Sequence, residues 1–313
     1  MTIKNILVAG SSGTIGTRLC EKLLENKYNV IGIDIKKNKW NKTIDNLTIK
    51  LDLKDNKTTL KKLKEKNIDL IICLAANPHV YSSVKNPLIA KENIDIIFNV
   101  LELARINRIK RIMFSSSREI YGCCNKLKKC EEDFDIKNCE SPYGASKVAG
   151  EALIHSYNKC YNIDYIIYRL SNVYGMYDDL TRSLPRVIPI FITKLKANED
   201  INVYGKTKGY DFTYIDDCIN AIILGIEKFE NAKNNTYNIA SGKETKILEI
   251  AHKLKRSLKS NSKIIIKENR IGEILSYNAD ISKAKKILGY KPLTSINIGI
   301  KKTIDWYLKN IKL

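Results

Sequence analysis

An alternation of short apolar segments with amphipathic ones, along residues 1–175, is the feature that most constrains the fold. The apolar segments are bounded by turn residues and have the composition of buried strands; they read NILVAG, YNVIGID, LTIKLDL, IDLIICLAA, IKRIMFSSS and IDYIIYRLSN. Segments with helical periodicity lie between them, at 14–26, 57–66, 92–107 and 143–161. Unbroken apolar strands that alternate with helices predict a parallel α/β sheet covered on both faces, and right-handed crossovers make it doubly wound.

From about residue 176 the alternation becomes irregular, which predicts a second and smaller lobe. We expect helices in SLPRVIPIFITKLKAN, DDCINAIILGIEKF, ETKILEIAHKLKRSL and INIGIKKTIDWYLKN, and short strands in INVYG and YDFTYI. The predicted units are a doubly wound domain at 1–175 and a mixed α/β lobe at 176–313, with part of 211–245 packing back on the first. In such folds, ligands bind between the lobes, at the carboxyl ends of the parallel strands.

Composition and charge argue against a membrane or nucleic-acid partner. The formal charge of +20 invites a nucleic-acid interpretation, but the lysines are scattered along the whole chain together with abundant Asn and Ile, as an AT-rich genome produces. We expect the surplus charge to attract an anionic small substrate instead. No apolar run reaches the roughly 18 residues of a membrane span, and MTIKNILVAG leads into a strand pattern without the organisation of a signal peptide. We therefore expect a cytoplasmic protein.

The eight cysteines should be reduced thiols in that compartment. Four of them fall in the segment CCNKLKKCEEDFDIKNC, at 123–139. The segment has no Cys-x-x-Cys pair and no nearby histidine, so it does not match the ligand spacing of a zinc site. We expect no metal there and interpret the segment as a mobile loop.

Three glycines in VAGSSGTIGTRL follow the first predicted strand and open the first predicted helix: Gly10, Gly13 and Gly16. Glycine permits a tight turn and close approach of the backbone to a pyrophosphate, and the helix N-terminus offers free N–H groups to the phosphates. Asp34 ends the second predicted strand, in VIGIDI. A carboxylate there accepts hydrogen bonds from both adenosine ribose hydroxyls and repels a 2′-phosphate. The motif therefore predicts binding of NAD rather than NADP.

Tyr143 and Lys147, in SPYGASK, have the spacing that places two side chains on one face of a helix. A tyrosine and a lysine held together in this way are candidates for an acid/base pair. The pattern Tyr-x-x-x-Lys also occurs at 81–85 and at 204–208. Spacing alone therefore does not identify a catalytic pair.

Several motifs in order along the chain carry a family resemblance. They are GSSGTIG at 10–16, LAA at 74–76, SSSREIYG at 115–122, SPYGASK at 141–147, RLSNVYG at 169–175, YDFTYIDDC at 210–218 and RIGEILSYNADISKAKKILGY at 270–290. The chain resembles the extended short-chain dehydrogenase/reductases, and most of all the nucleotide-sugar epimerase/dehydratase group that includes UDP-glucose 4-epimerase. The resemblance implies a Rossmann-like fold with bound NAD and a UDP-sugar or other nucleotide-sugar substrate. It also selects the pair at 143 and 147 over the other two copies.

The resemblance implies roles for individual residues. The catalytic residues would be Ser117, Tyr143 and Lys147. The residues that would bind NAD are Gly10, Gly13, Thr14, Ile15, Gly16, Asp34, Ile35, Asp52, Leu53, Leu74, Ala75, Ala76, Asn93, Ser115, Tyr143 and Lys147. The residues that would bind the nucleotide sugar are Ser117, Glu119, Asn172, Arg186, Tyr204, Arg270 and Glu273. Family members often carry an arginine where this chain has Tyr210, so we expect Arg182 or Arg186 to supply that phosphate contact.

Oxidation of a sugar hydroxyl needs a base that removes a proton while a hydride leaves the same carbon. Tyrosine has a pKa near 10 and is a weak base at neutral pH. Lowering that pKa to about 7 corresponds to roughly 4 kcal/mol, which one positive charge about 4 Å away supplies at an effective dielectric near 20. We expect Lys147 and the oxidised nicotinamide ring to provide this charge, and Ser117 to hydrogen-bond the reacting oxygen.

The favoured interpretation of this chemistry is 4-epimerisation of a UDP-hexose or a UDP-uronate. Glu119 aligns with a glutamate of the resembling 4,6-dehydratases and decarboxylases. Those dehydratases use an aspartate as acid where this chain has Arg118, which stays protonated, so dehydration is disfavoured. UDP-glucuronate decarboxylation stays open because Arg118 could pair with a uronate carboxylate, and the simpler alternative is that Arg118 faces solvent. Tyr277 would narrow the sugar pocket, which hints at an unacetylated hexose.

Two further expectations concern the whole protein. An NAD-sensing or RNA-binding module without catalysis is the non-enzyme alternative, and the intact catalytic group disfavours it. The resembling enzymes commonly dimerise through two helices per subunit, which form a four-helix bundle. Here those helices would be 92–107 and 143–161, and the apolar run NIDIIFNVLELA supports such a homodimer.

Overall fold

The computed structural model describes residues 2–64, 66–178 and 186–311. Its strands are β1 (Asn5–Ala9), β2 (Asn29–Asp34), β3 (Thr48–Lys50), β4 (Leu70–Cys73), β5 (Arg111–Ser117), β6 (Asp164–Leu170), β7 (Asn172–Tyr174), β8 (Ile201–Tyr204), β9 (Gly209–Tyr214), β10 (Asn235–Ile239), β11 (Glu244–Lys246) and β12 (Ile264–Lys267). Its α-helices are α1 (Thr14–Glu25), α2 (Lys42–Leu47), α3 (Asn56–Leu63), α4 (Val80–Lys85), α5 (Leu88–Ile106), α6 (Pro142–Tyr161), α7 (Val187–Lys196), α8 (Ile215–Glu227), α9 (Phe229–Ala232), α10 (Ile247–Ser257), α11 (Ser282–Leu288) and α12 (Ile296–Asn310). Short 3-10 helices lie at Arg118–Tyr121, Glu131–Asp133 and Ile136–Asn138.

A seven-stranded parallel sheet forms the centre of the molecule, in the order β10-β6-β5-β4-β1-β2-β3. From β1 the chain winds outward to β2 and β3 on one side, and from β4 it winds to β5 and β6 on the other. The direction reverses between β1 and β4, and a crevice opens there at the carboxyl ends of the strands. The prediction of a doubly wound, Rossmann-like α/β sheet is confirmed.

Burial on both faces explains why the predicted strands are apolar without alternation. In β1, Ile6 and Val8 belong to one buried cluster, whereas Leu7 and Ala9 belong to the other. Helices α1 and α8 pack together on the first face, and α5 and α6 pack together on the second. Each helix therefore buries an apolar face against the sheet, and the loops at the strand ends remain available for a site.

The C-terminal part of the chain adds two small sheets, one of order β11-β9-β7 and one of order β12-β8. The chain then returns to the central sheet, because β10 pairs with β6 from Asn235↔Ile166 to Ile239↔Leu170. The two parts share a sheet as well as a cleft. The division into units 1–175 and 176–313 stays a prediction.

Some local predictions were wrong because strand pairing depends on partners that are distant in sequence. The segment IDYIIYRLSN is two strands, since β6 ends at Leu170 and β7 begins at Asn172 in a different sheet. The predicted helix ETKILEIAHKLKRSL begins only at Ile247, because residues 244–246 pair with β9 as β11. Strands β10 and β12 and the short helices α2, α4, α9 and α11 were not predicted.

The cysteine-rich segment 123–139, interpreted from sequence as a mobile loop, makes hydrogen bonds to the C-terminal part of the chain. The Lys129 N–H donates to the Asn278 carbonyl at 2.9 Å, and the buried Glu131 carboxylate accepts from the Asn238 N–H at 2.6 Å. Within residues 2–64, 66–178 and 186–311, no group of three or more metal-binding side chains comes together. Nor does any helix in these ranges have the length and apolarity that crossing a bilayer requires.

Candidate active site

A cleft of about 840 Å³ lies at the carboxyl ends of the central strands, between the sheet and the C-terminal part of the chain. Every residue proposed above for catalysis, NAD or nucleotide sugar, from Gly10 to Glu273, lines this cleft. Residues that are far apart in sequence therefore share one cavity. Arg182 lies outside the described residues.

The glycine turn between β1 and α1 has no room for side chains. Gly10 has φ +89°, and a Cβ on it would lie 2.9 Å from the Ala75 nitrogen. A Cβ on Gly16 would lie 1.9 Å from the Gly10 carbonyl oxygen. The buried Ser12 hydroxyl beside the turn has no hydrogen-bond partner among the described residues. A bare backbone turn at a helix N-terminus, with a spare hydroxyl, fits the pyrophosphate of a dinucleotide.

The Asp34 carboxylate at the end of β2 is oriented by backbone donors. It accepts from the Ser12 N–H at 3.0 Å and from the Lys36 N–H at 2.9 Å. A carboxylate oxygen can accept more than one hydrogen bond, so both oxygens of Asp34 can still accept from the hydroxyls of a ribose. Asp34 lines the cleft next to the glycine turn, which fits the adenosine side of NAD.

An aromatic cluster of Trp40, Tyr177 and Trp306 lies beside the glycine turn. The Trp306 ring centroid is 5.3 Å from that of Trp40 and 5.3 Å from that of Tyr177. The Tyr177 carbonyl accepts a hydrogen bond from the Thr14 hydroxyl at 3.2 Å. Helix α12, which carries Trp306, therefore supports the segment that contacts the turn.

Helix α6 positions Tyr143 and Lys147 one turn apart at its N-terminal end. The helix is capped by the Ser141 hydroxyl, which accepts from the Gly144 N–H at 3.1 Å. The Lys147 ammonium donates to the Ser115 carbonyl at 2.7 Å and lies 5.8 Å from the Tyr143 ring centroid. Strand β5 and helix α6 thus bring the proposed catalytic residues together at the end of the cleft.

Burial dominates the acidity of both residues. It raises the pKa of Tyr143 to about 12, although a hydrogen bond with the Ser117 side chain acts in the opposite direction. It lowers the pKa of Lys147 to about 8, although Cys73 and Glu151 act in the opposite direction. In the chain itself the Lys147 ammonium is directed to the Ser115 carbonyl, and the lowering of the Tyr143 pKa expected from Lys147 together with an oxidised nicotinamide ring stays a prediction.

A buried ionic network fixes α6 against the strands that precede and follow it. Glu151, one turn beyond Lys147, accepts from the Arg169 guanidinium of β6 at 3.1 and 2.8 Å and from the Ser116 hydroxyl of β5. Arg169 also donates to the Tyr121 hydroxyl at 3.0 Å. Both charged side chains are buried, with Glu151 and Arg169 only 6% and 5% exposed. The network sets the register of α6 against Ser117, the residue after Ser116.

Arg118 does not face solvent, contrary to the simpler alternative from sequence. It is 8% exposed, its Nη2 lies 2.7 Å from Glu119 Oε1, and its Nε donates to Asn172 Oδ1. The guanidinium carbon lies 3.9 Å from the centroid of the Tyr210 ring. Burial raises the pKa of Glu119, and the Arg118 charge opposes that effect. Tyr210, which stands where family members often carry an arginine, therefore stacks against the guanidinium of Arg118.

Tyr277 does not narrow the cleft. It is fully buried, its ring centroid lies 5.8 Å from that of Tyr121, and it is not among the described residues that line the cavity. The expected narrowing by Tyr277 is therefore wrong, and this position gives no support to an unacetylated hexose.

The far end of the cleft holds a cluster of basic and aromatic side chains. The Arg270 guanidinium lies 3.8 Å from the Tyr204 ring centroid and 5.2 Å from the Tyr81 ring centroid. Glu273 pairs with the buried Lys208 ammonium at 2.8 Å and with Arg270 at 3.7 Å. Tyr81 and Lys208 were missed by the sequence reasoning, which set aside their Tyr-x-x-x-Lys copies. Tyr81 and Tyr204, the tyrosines of those two copies, both lie against Arg270. These residues are far apart in sequence, so no local sequence pattern predicts the contact.

A family model, similar sequences and similar solved structures all indicate the family that the sequence motifs resemble. The family model described as "NAD dependent epimerase/dehydratase family" matches residues 6–240. A Methanocaldococcus jannaschii protein provisionally named UDP-glucose 4-epimerase is 36% identical over 310 residues, which cover 97% of this chain and 99% of that protein. The crystal structure of UDP-glucose 4-epimerase with UDP-glucose from Thermotoga maritima has 28% identity, a TM-score of 0.90 and coverage of 97% and 99%. UDP-glucuronic acid 4-epimerase from Bacillus cereus, in complex with UDP-glucuronic acid and NAD, has 28% identity, a TM-score of 0.85 and the same coverage.

Proposed function

The chain belongs to the NAD dependent epimerase/dehydratase family, and on that premise we propose that it is a nucleotide-sugar 4-epimerase acting on a UDP-hexose or a UDP-uronate. The observation that carries the proposal is the single cleft that joins the glycine turn, Tyr143 with Lys147, and the basic cluster around Arg270. A dinucleotide and a nucleotide sugar would meet in it at the tyrosine. The relatives named as 4-epimerases support this reaction class.

NAD is the cofactor of this family. In the proposal, the backbone of the glycine turn and the N-terminus of α1 bind its pyrophosphate, and Asp34 binds the adenosine ribose. When bound, NAD supplies an acceptor for the hydride of a sugar carbon and returns it. The bare turn and the spare Ser12 hydroxyl support this assignment.

The proposed roles of the catalytic residues concern one proton at the sugar 4-oxygen. Tyr143, as the phenolate that bound NAD and Lys147 would favour, would take this proton as the carbon is oxidised and return it on reduction from the other face. Ser117, which already hydrogen-bonds the tyrosine, holds the reacting oxygen. Lys147 holds a positive charge beside the tyrosine, and its contact with the Ser115 carbonyl orients it.

Two related reactions start from the same oxidised sugar. Dehydration requires an acid at position 118, and the buried, ion-paired guanidinium of Arg118 does not release a proton. Decarboxylation of a UDP-glucuronate remains the alternative reaction, since Glu119 lies at the end of the cleft beside Ser117. The nature of the product separates these cases.

The test is incubation of the purified protein, without added cofactor, with UDP-glucose, UDP-glucuronate and their N-acetyl counterparts. We expect a 4-epimer of at least one substrate, identified by proton NMR, and NAD released when the protein is denatured. Tyr143→Phe should abolish turnover, whereas the matched control Tyr161→Phe, at the exposed end of the same helix, should not. Products that have all lost water or carbon dioxide would show that the epimerase assignment is wrong.

We also propose that the protein forms a homodimer through α5 and α6. These helices pack together and expose apolar side chains, with Phe98 43%, Ile106 46% and Tyr161 44% accessible. Two such pairs would bury these side chains in a four-helix bundle. Light scattering at low micromolar concentration should give the mass of a dimer, and a monomer under those conditions would contradict the proposal.

A further inference from the structure

Arg118 has a position in the cleft that the proposed reaction does not explain. It follows Ser117 directly, is 8% exposed, and contacts three side chains from three different segments. A buried guanidinium needs partners for its fixed fork of N–H donors. The identity of those partners indicates what the arginine does.

Each contact of Arg118 restrains a different part of the guanidinium. Nε donates to Asn172 Oδ1, Nη2 is 2.7 Å from Glu119 Oε1, and the flat face lies 3.9 Å above the Tyr210 ring. The first two contacts fix the group in its plane, and the stacking fixes the plane itself. A lysine has one point charge and no plane, so it does not make this set of contacts.

The contact with Asn172 determines which way its amide faces. A guanidinium only donates hydrogen bonds, so the amide must present its oxygen to Arg118. The amide N–H groups then point away from Arg118. Because Asn172 lines the cleft, these donors are available to a ligand in it. An asparagine without this partner has two nearly equivalent orientations, and only one of them offers donors to a ligand oxygen.

We propose that Arg118 is a positioning residue that holds the Asn172 amide with its N–H groups toward the oxygen-rich diphosphate-sugar portion of the substrate. The inference rests on the proposed function, since it concerns the binding of that substrate. Glu119 and Tyr210 keep the arginine in place. Arg118 Nη1 has no hydrogen-bond partner among the described residues, and the effect of Arg118 proposed here passes through Asn172.

A double-mutant cycle on the NAD-loaded protein tests the coupling, with the Kd for UDP measured by calorimetry as the readout. Asn172→Ala alone and Arg118→Met alone should each weaken UDP binding by about 30-fold, because each removes the oriented donor. The double variant should be weakened by no more than about 100-fold, because the two changes remove the same contact. Independent effects that multiply to about 1000-fold would overturn the proposal.

Asn172→Asp provides a second measurement that leaves the ion pair of Arg118 intact. The carboxylate still accepts from Arg118 but offers no donors to the ligand, so UDP binding should weaken by about 100-fold. The midpoint of thermal unfolding should stay within about 2 °C of wild type, because the ion pair and the stacking of Arg118 are kept. The control Asn202→Asp places a new charge at another cleft-lining asparagine and should weaken UDP binding by less than about fivefold.

Equal weakening by Asn172→Asp and Asn202→Asp would mean that the cleft responds to charge alone, and the orientation of the amide would then have no role. Measurements on the wild-type protein distinguish a failure of the proposed function from a failure of the proposed role of Arg118. If it neither binds UDP nor epimerises a UDP-sugar, the proposed function fails. If it does both and the cycle is multiplicative, only the role of Arg118 fails.

Discussion

Replacing Lys147 by methionine should stabilise the NAD-free protein while abolishing its activity. Lys147 is 4% exposed, and burial lowers the pKa of its ammonium from 10.5 to about 8. That difference corresponds to about 3 kcal/mol of destabilisation at pH 7, at about 1.4 kcal/mol for each tenfold change in acidity. Loss of the hydrogen bond to the Ser115 carbonyl costs about 1 kcal/mol, so the net gain of Lys147→Met is about 2 kcal/mol. For 313 residues this raises the unfolding midpoint by about 3 °C.

The pH dependence gives the sign of the effect. The folded-state pKa of Lys147 lies below its unfolded value, so between about pH 8 and 10.5 the unfolded chain binds more protons than the folded one. The stability of the wild-type protein therefore rises with pH in this window relative to the variant. The destabilisation falls to about 2 kcal/mol at pH 9 and below about 0.5 kcal/mol at pH 10.5. Buried thiols and tyrosines titrate in both proteins, so their contributions cancel when the unfolding free energy of one protein is subtracted from that of the other.

The assay is urea unfolding of NAD-free wild type and Lys147→Met at pH values from 7 to 10.5. Added NAD should reverse the order, because a ligand that binds the folded state stabilises the protein that binds it better. A variant that is less stable than wild type at pH 7, or a difference that does not change with pH, would refute the reasoning.

Three further changes test other parts of the site. Tyr143→Phe should lower kcat by about 1000-fold without loss of bound NAD, and a variant that retains a tenth of the wild-type rate would exclude the tyrosine as the base. Gly16→Ala should reduce NAD content by at least about tenfold, measured by absorbance after denaturation, because its Cβ would lie 1.9 Å from the Gly10 oxygen; full retention would contradict a pyrophosphate at the turn. Arg169→Met should cost about 3–5 kcal/mol and lower the unfolding midpoint by about 5–8 °C, because Glu151 is left buried and unpaired; changing both residues to methionine should recover more than half of that loss.

Residues whose placement follows from a contiguous motif could be predicted from the sequence. Gly16 needs only the geometry of one turn, and Tyr143 and Lys147 need only one helical turn within SPYGASK. Arg118 could not be placed in this way, because its partner Asn172 lies on another strand and its stacking partner Tyr210 on a third. The periodicity of a short segment does not predict contacts with residues that are distant in sequence.

The same limit applies to the strands and to the acidity of the site. The run IDYIIYRLSN has the pattern of one continuous strand, so the change of sheet after Leu170 is set by the pairing of β7 with β9 and not by the segment itself. The pKa of Tyr143 was expected to fall under the charges of Lys147 and the oxidised nicotinamide ring. In the chain itself burial raises this pKa and the Lys147 ammonium is directed to the Ser115 carbonyl, and neither the burial nor that contact can be read from the spacing of the two residues.

The cluster beside the glycine turn has a consequence for how this protein is observed. The chain has two tryptophans, and both lie in that cluster, against the tyrosine whose carbonyl binds Thr14. Intrinsic fluorescence excited at the indole band therefore comes from one place, next to the glycine turn. Titration with NAD should quench or shift that emission, and loading of the enzyme can be followed in real time without an attached dye.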